Sequence, residues 1–129
     1  MIERCAVLLA LTASLFLAAP AWAHAILTGS TPKPDGTASP GHQTLRFEYN
    51  SRIDHRRSRL TLTGPDGRPR VLTILPASAP NALDAEADLV AGAYKLRWQA
   101  LALDGHITRG DVGFTVASPP ASSGVSASR

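Results

Sequence analysis

Two short stretches hold most of the chemistry this chain can offer. One is "PAWAHAILTG", where His24 follows a small-residue segment; the other is "LDGHITRGD", where Asp104 and His106 stand two apart around Gly105. If the chain is cut after Ala23, His24 supplies both an α-amine and a ring Nδ1. Both can chelate one ion while ordering only one residue. The amine has a reference pKa near 8, so a strongly Lewis-acidic ion displaces its proton at neutral pH. Asp104 and His106 face the same side if the segment is a strand, and Gly105 permits a bend if it is not. A plain "DG" turn closing a hairpin, with His106 exposed, accounts for the triplet as well. An amine, two imidazoles and a carboxylate form a nitrogen-rich, sulfur-free set. In tetragonal arrangement it suits one Cu(II) ion best, with Ni(II) and Zn(II) behind. The other two histidines carry less: His42 in "SPGHQT" reads as a loop residue, and His55 in "SRIDHRRSR" as part of a solvated charged connection.

The site requires a cut, and the first 23 residues have the parts that direct one. Arg4 lies near the start, "CAVLLALTASLFLAAP" is an apolar run too short to span a bilayer, and "AWA" supplies the small residues of a cleavage site. Residues 1–23 therefore read as a cleaved signal peptide that places the rest outside the cytoplasm. The leader takes with it Met1 and Cys5, the sequence's single methionine and single cysteine. The remainder has no disulfide and no soft sulfur ligand for Cu(I). Glu3 and Arg4 leave together, so the net charge of +3 is unchanged, too small a balance to argue for nucleic acid.

The elements that must position these residues read as strands. Leu45, Phe47 and Tyr49 alternate with polar neighbours, as do Leu60 and Leu62, then Tyr94, Leu96 and Trp98, then Val112, Phe114 and Val116. "AILTG" opens the set, and "GPDG" turns the chain into "RVLTIL". "NALDAEADLV" has helix-favouring composition, yet Leu83, Ala85, Ala87 and Leu89 alternate and Pro80 and Gly92 leave little room; it reads as a strand or irregular. The expected fold is all-β: a single small antiparallel Greek-key β-barrel or sandwich of about seven strands, over residues 24–117. Residues 118–129, "SPPASSGVSASR", read as a disordered tail.

Several chemistries lack support. No GxSxG and no glycine-rich phosphate loop occurs. Arg52, Arg56, Arg57 and Arg59, with Asp54, make a basic cluster that is a solvated face or a docking surface for an acidic partner.

The mature start "HAILTGSTPKPDG", the segment "SRLTLTGPDG" and the string "GAYKLRWQALALDGHITRGDVGFTV", in this order, resemble the CopC/PcoC family of periplasmic copper-binding proteins over residues 24–117. The resemblance implies a Greek-key β-barrel related to cupredoxin and immunoglobulin-like sandwiches, with Cu(II) held at one end for copper resistance or uptake. It implies that His24 gives its amine and imidazole, Asp104 a carboxylate and His106 an imidazole. It also implies a separate inner-membrane partner of the CopD type. Two departures stand out. Some relatives have a methionine-rich Cu(I) site, which this mature chain cannot build. Many carry "FSEP" with a glutamate near the ion, where this chain reads "FEYNSRID"; Glu48 or Ser51 stands in its place.

The expectation is a monomeric, non-enzymatic Cu(II) carrier or buffer. One alternative is a histidine-brace copper oxidase of the lytic polysaccharide monooxygenase type, for which seven aromatics offer a poor polysaccharide surface. Another is a metal-free adhesion or chaperone-like sandwich in which the DGH is only a turn.

Overall fold

The computed structural model describes residues 24–118; the expected leader, 1–23, and residues 119–129 of the expected tail lie outside the described residues. Wherever the sequence alternates, the chain is a strand. In order these are β1 (Leu27–Thr31), β2 (Gly36–Ala38), β3 (Gly41–Tyr49), β4 (Arg59–Thr63), β5 (Pro69–Leu72), β6 (Ala82–Leu89), β7 (Gly92–Leu101) and β8 (Ile107–Val116). They form two sheets, ordered β1-β3-β6 and β2-β8-β7-β4-β5. The fold is thus a two-sheet sandwich of eight strands rather than about seven, and its sheets do not close into a barrel.

The inner faces supply the core. Leu45, Phe47 and Tyr49 of β3 with Leu83, Ala85, Ala87 and Leu89 of β6 meet Leu60, Leu62, Leu96, Trp98, Val112, Phe114 and Val116 of the other sheet, all buried. Removing each large apolar side chain from water contributes about 1.5–3 kcal/mol. This must carry the fold, because no cysteine lies among residues 24–129. The ambiguous "NALDAEADLV" is strand β6, paired with β3 from Gly41↔Leu89 to Glu48↔Ala82. Burial of its apolar alternation overrides its helical composition.

Three local expectations change. Pairing is not wholly antiparallel: β2 runs parallel to β8, from Gly36↔Phe114 to Ala38↔Val116. Pro32 and Pro34 lack the N–H that would extend β1's ladder, so the chain leaves one sheet's edge and joins the other's. "RVLTIL" is shorter than expected; after Leu72 the chain crosses sheets, with Ile74 bridging Ala85 and the Leu75 N–H donating to the Asp84 carbonyl at 2.8 Å. His42 is not in a loop. It sits in β3 opposite Asp88, with Nδ1 2.9 Å from Asp88 Oδ1 and Nε2 3.5 Å from Glu86 Oε2. The "GPDG" turn is as expected, closed by the Gly67 N–H on the Gly64 carbonyl at 3.0 Å, with Gly67 at φ +72°.

Gly110 lies across from Trp98 in the β7–β8 pair, and a Cβ there would stand 2.6 Å from Trp98 Cζ2. Gly110→Ala should therefore cost about 1–3 kcal/mol in urea melts through overpacking. Gly113→Ala, whose Cβ meets nothing nearer than 3.9 Å, should not destabilise the fold.

The hydrogen bond that the His42 ring donates to Asp88, helped by the charges of Asp88 and Glu86, raises the pKa of His42 above 6.5 against a smaller desolvation effect. A raised folded-state pKa adds stability that is fully present below the unfolded value and lost as pH rises through the folded one. The melting-temperature gap between wild type and His42→Gln should be widest near about pH 5.5 and close by about pH 8.5. A gap that widens with pH would contradict the assignment.

Candidate metal centre

The β7–β8 hairpin ends in the Ala102–His106 turn, at one end of the sandwich. The Gly105 N–H donates to the Ala102 carbonyl and the Ala102 N–H to the His106 carbonyl, each at 2.9 Å, and Gly105 takes φ +89°. The plain-turn reading and the ligand reading thus describe the same residues. Asp104 and His106 share a side because of the turn, not because of a strand's pleat. Oδ1 of Asp104 accepts the His106 backbone N–H at 3.0 Å, and Oδ2 lies 3.1 Å from His106 Nδ1. That is a side-chain-closed turn, a conformation aspartate favours.

The base of this turn is held from the connection "SRIDHRRSR". Ile53 bridges Ala102, the Asp54 N–H donates to the Leu101 carbonyl at 2.8 Å, and the buried Ser58 Oγ accepts the Leu101 N–H at 3.0 Å. The connection is therefore more than a solvated charged loop. His55 belongs to it, with Nε2 3.0 Å from the Ala79 carbonyl, and is not part of the candidate centre. His42 lies on the outer face of the other sheet, with Glu86 and Asp88.

His24 arrives from far away in sequence. Its ring centroid is 5.1 Å from that of His106, with the planes at 82°. The residues that bring it there are ones the sequence did not single out. The Thr108 hydroxyl donates to the Ala25 carbonyl at 2.6 Å, across 83 residues of chain. On the other side, the Asn50 Oδ1 accepts the Ile26 N–H at 2.8 Å, and the Asn50 N–H donates to the Ile26 carbonyl at 3.1 Å. Ala25 is buried between these clamps while His24 is exposed beyond them. A hydroxyl two residues after the DGH triplet was the only available signal for Thr108, and Ser and Thr are too common for it to count alone.

The sequence left the place of the family's glutamate open between Glu48 and Ser51. Glu48 points outward from the three-stranded sheet, between the buried Phe47 and Tyr49. Ser51 falls between Asn50, which holds Ile26, and Ile53, which bridges Ala102; its Oγ is buried with no hydrogen-bond partner among the described residues.

The carboxyl of Asp104 is held below its ordinary value. The His106 backbone N–H is the largest cause, and the His106 ring and the His24 ring add to it against partial desolvation. The group is thus ready as an anion. Among the described residues, no group of three or more His, Cys, Asp or Glu side chains stands already disposed to hold a metal ion. Two imidazoles and a carboxylate do come together at this end. Of the exposed large apolar side chains, Ile26, Leu103 and Ile107 rim this end.

Asn50→Ala should speed exchange of the Ile26 amide roughly tenfold by removing its acceptor, leaving core amides unchanged. Thr108→Val should destabilise the fold by about 1–3 kcal/mol by stranding the Ala25 carbonyl, and Thr108→Ser should restore it.

Comparison with known proteins follows this geometry. Residues 27–117 match the family model described as the CopC domain. Copper resistance protein C of Escherichia coli is 31% identical over 105 residues, covering 74% of this chain and 83% of that protein. The crystal structure of CopC from Methylosinus trichosporium OB3b has a TM-score of 0.66 at 20% identity, covers 74% of this chain and 95% of its own, and shows likeness of fold. PcoC from Escherichia coli, described as a methionine-rich copper resistance protein, has a TM-score of 0.60 at 25% identity over 74% of this chain and all of its own.

Proposed function

The chain belongs to the CopC family, and from that premise we propose that it is a periplasmic Cu(II) carrier or buffer acting in copper resistance. Its centre takes one Cu(II) ion as cargo. His24 gives its α-amine and ring, His106 an imidazole and Asp104 a carboxylate oxygen. The observation that carries this reading is the meeting of the His24 and His106 rings at 5.1 Å beside the Asp104 carboxylate, 3.1 Å from the His106 ring. These donors fit Cu(II): nitrogen-rich, one hard anion, no sulfur. In the full chain the His24 nitrogen is a peptide nitrogen, so cleavage after Ala23 is the step that completes the set.

The same donors give Cu(I) no thioether or thiolate, since no methionine or cysteine lies among residues 24–129. That sets this chain apart from the methionine-rich relative and favours storage and handover of Cu(II) over redox turnover. It works as a monomer without catalysis. Handover goes to a membrane copper transporter of the CopD type, which meets the apolar rim of Ile26, Leu103 and Ile107 around the ion.

Titration of the processed protein with Cu(II) tests the reading. One alanine added before His24 should lower affinity by more than about a hundredfold, the upper range for losing a mere outer-shell partner. Unchanged affinity would overturn the amine chelate. Copper at about 100 times its Kd should also stabilise the processed fold by about 2.7 kcal/mol.

A further inference from the structure

The two outer faces of the sandwich carry opposite charge. On the five-stranded sheet, cross-strand neighbours Arg59↔Gln99↔Arg109, Thr61↔Arg97↔Asp111 and Thr63↔Lys95↔Gly113 all point outward. Four cations, Arg59, Lys95, Arg97 and Arg109, share this face with one acid, Asp111, which is bonded to Arg97 at 2.9 Å. On the three-stranded sheet the balance is reversed: Glu48, Asp84, Glu86 and Asp88 share the outer face with Arg46, which Asp84 binds at 2.9 Å, and with His42. The formal excess is three positive charges on one face and three negative on the other, with histidine neutral.

The cations are spread in two dimensions, over three adjacent strands. An extended peptide would meet one strand's row, whereas a charged plane meets all of them. The face continues through Arg59 into a groove of about 660 Å³ whose lining includes Arg56, Val71, Leu72 and Ile74. Val71 is 66% exposed there, an apolar side chain at the margin of a cationic surface. Of the basic cluster read from the sequence, Arg52, Arg56, Arg57 and Arg59 with Asp54, it is Arg59 that the fold joins across the sheet to Lys95, Arg97 and Arg109.

We propose that the outer face of β4, β7 and β8 docks peripherally on an anionic phospholipid bilayer. Charge complementarity holds the cationic face down, and the acidic β3–β6 face is turned away by the same field. Strands then lie parallel to the membrane, so the end formed by His24 and the Ala102–His106 turn opens sideways along it. The surface uses none of the side chains that meet at that end, so this inference and the copper reading fail separately.

Sedimentation of the processed protein with vesicles tests it, using phosphatidylcholine alone and phosphatidylcholine with phosphatidylglycerol. Binding should occur on the anionic vesicles at about 0.01 M salt and vanish at about 1 M, as the screening length falls from about 30 Å to about 3 Å. Replacing Arg59, Lys95 and Arg109 together by Gln should weaken binding roughly a hundredfold. Replacing the exposed Lys33, Arg68 and Arg70 by Gln, an equal change in net charge off this face, should weaken it less than about threefold. Arg59→Lys with Arg109→Lys should retain binding, and thermal melts identify any variant that has not folded. Equal losses in the two Gln triples, equal binding to neutral vesicles, or no binding at low salt would overturn the proposal.

Discussion

The hydroxyl of Thr108 donates to the carbonyl of Ala25 at 2.6 Å, and the end of the sandwich where His24 meets His106 depends on that bond more than on any other. If the chain is cut before His24, that residue has chain on one side only, and without anchorage its ring and amine would sample a wide volume. Thr108 ties the segment to the β7–β8 hairpin, and Asn50 ties it from β3's end through two hydrogen bonds to Ile26. Thr108 holds Ala25, the residue next to His24, and Asn50 holds Ile26, one residue further on. The order set by a few hydrogen bonds thereby reaches the His24 ring. A carbonyl buried under the segment makes the arrangement costly to undo, because loss of the donor strands a polar group.

The turn on the other side is equally constrained. Ser58, Asp54 and Ile53 hold Leu101 and Ala102 from below, and Asp104 closes the turn on the His106 N–H. Both halves of the centre thus rest on the same end of the β-sandwich. Trp98 covers Gly110 one rung further in, and it meets Tyr49 edge-on at 5.4 Å. Burial pushes the Tyr49 hydroxyl up out of the titrating range, so the floor of this end carries no charge. With no cysteine among residues 24–129, the fold relies on such packing where a secreted domain of this size would often use disulfides.

Much of this was legible in the residues. The inner faces of β3, β4, β7 and β8 are the alternating runs around Phe47, Leu62, Leu96 and Phe114, and period-two burial leaves a strong trace. His24, Asp104 and His106 stood out because their types are uncommon and their chemistry is specific, and the fold brings the three to one end. What was hidden depended on partners distant in sequence. His42 read as a loop residue because Pro40 and Gly41 precede it, and only β6 pairing against Asp88 makes it a strand residue. The parallel β2–β8 contact has no local signal at all. Thr108, Asn50 and Ser58 act through single hydrogen bonds to backbone groups, and residue type says little about which backbone group a hydroxyl or amide will find. The charge separation between faces was likewise invisible until register assigned each Arg, Lys, Asp and Glu to a sheet.

The central claim is that proteolysis before His24 creates the copper centre by adding an amine to two imidazoles and a carboxylate. Electron-nuclear resonance on the processed, Cu(II)-loaded protein, with nitrogen-isotope-labelled histidine, reads those donors directly. The account predicts a single tetragonal Cu(II) species coupled to the His24 amine and to both the His24 and His106 rings. A spectrum with one ring coupling and no amine, or one unchanged when His24 carries a preceding residue, would contradict it.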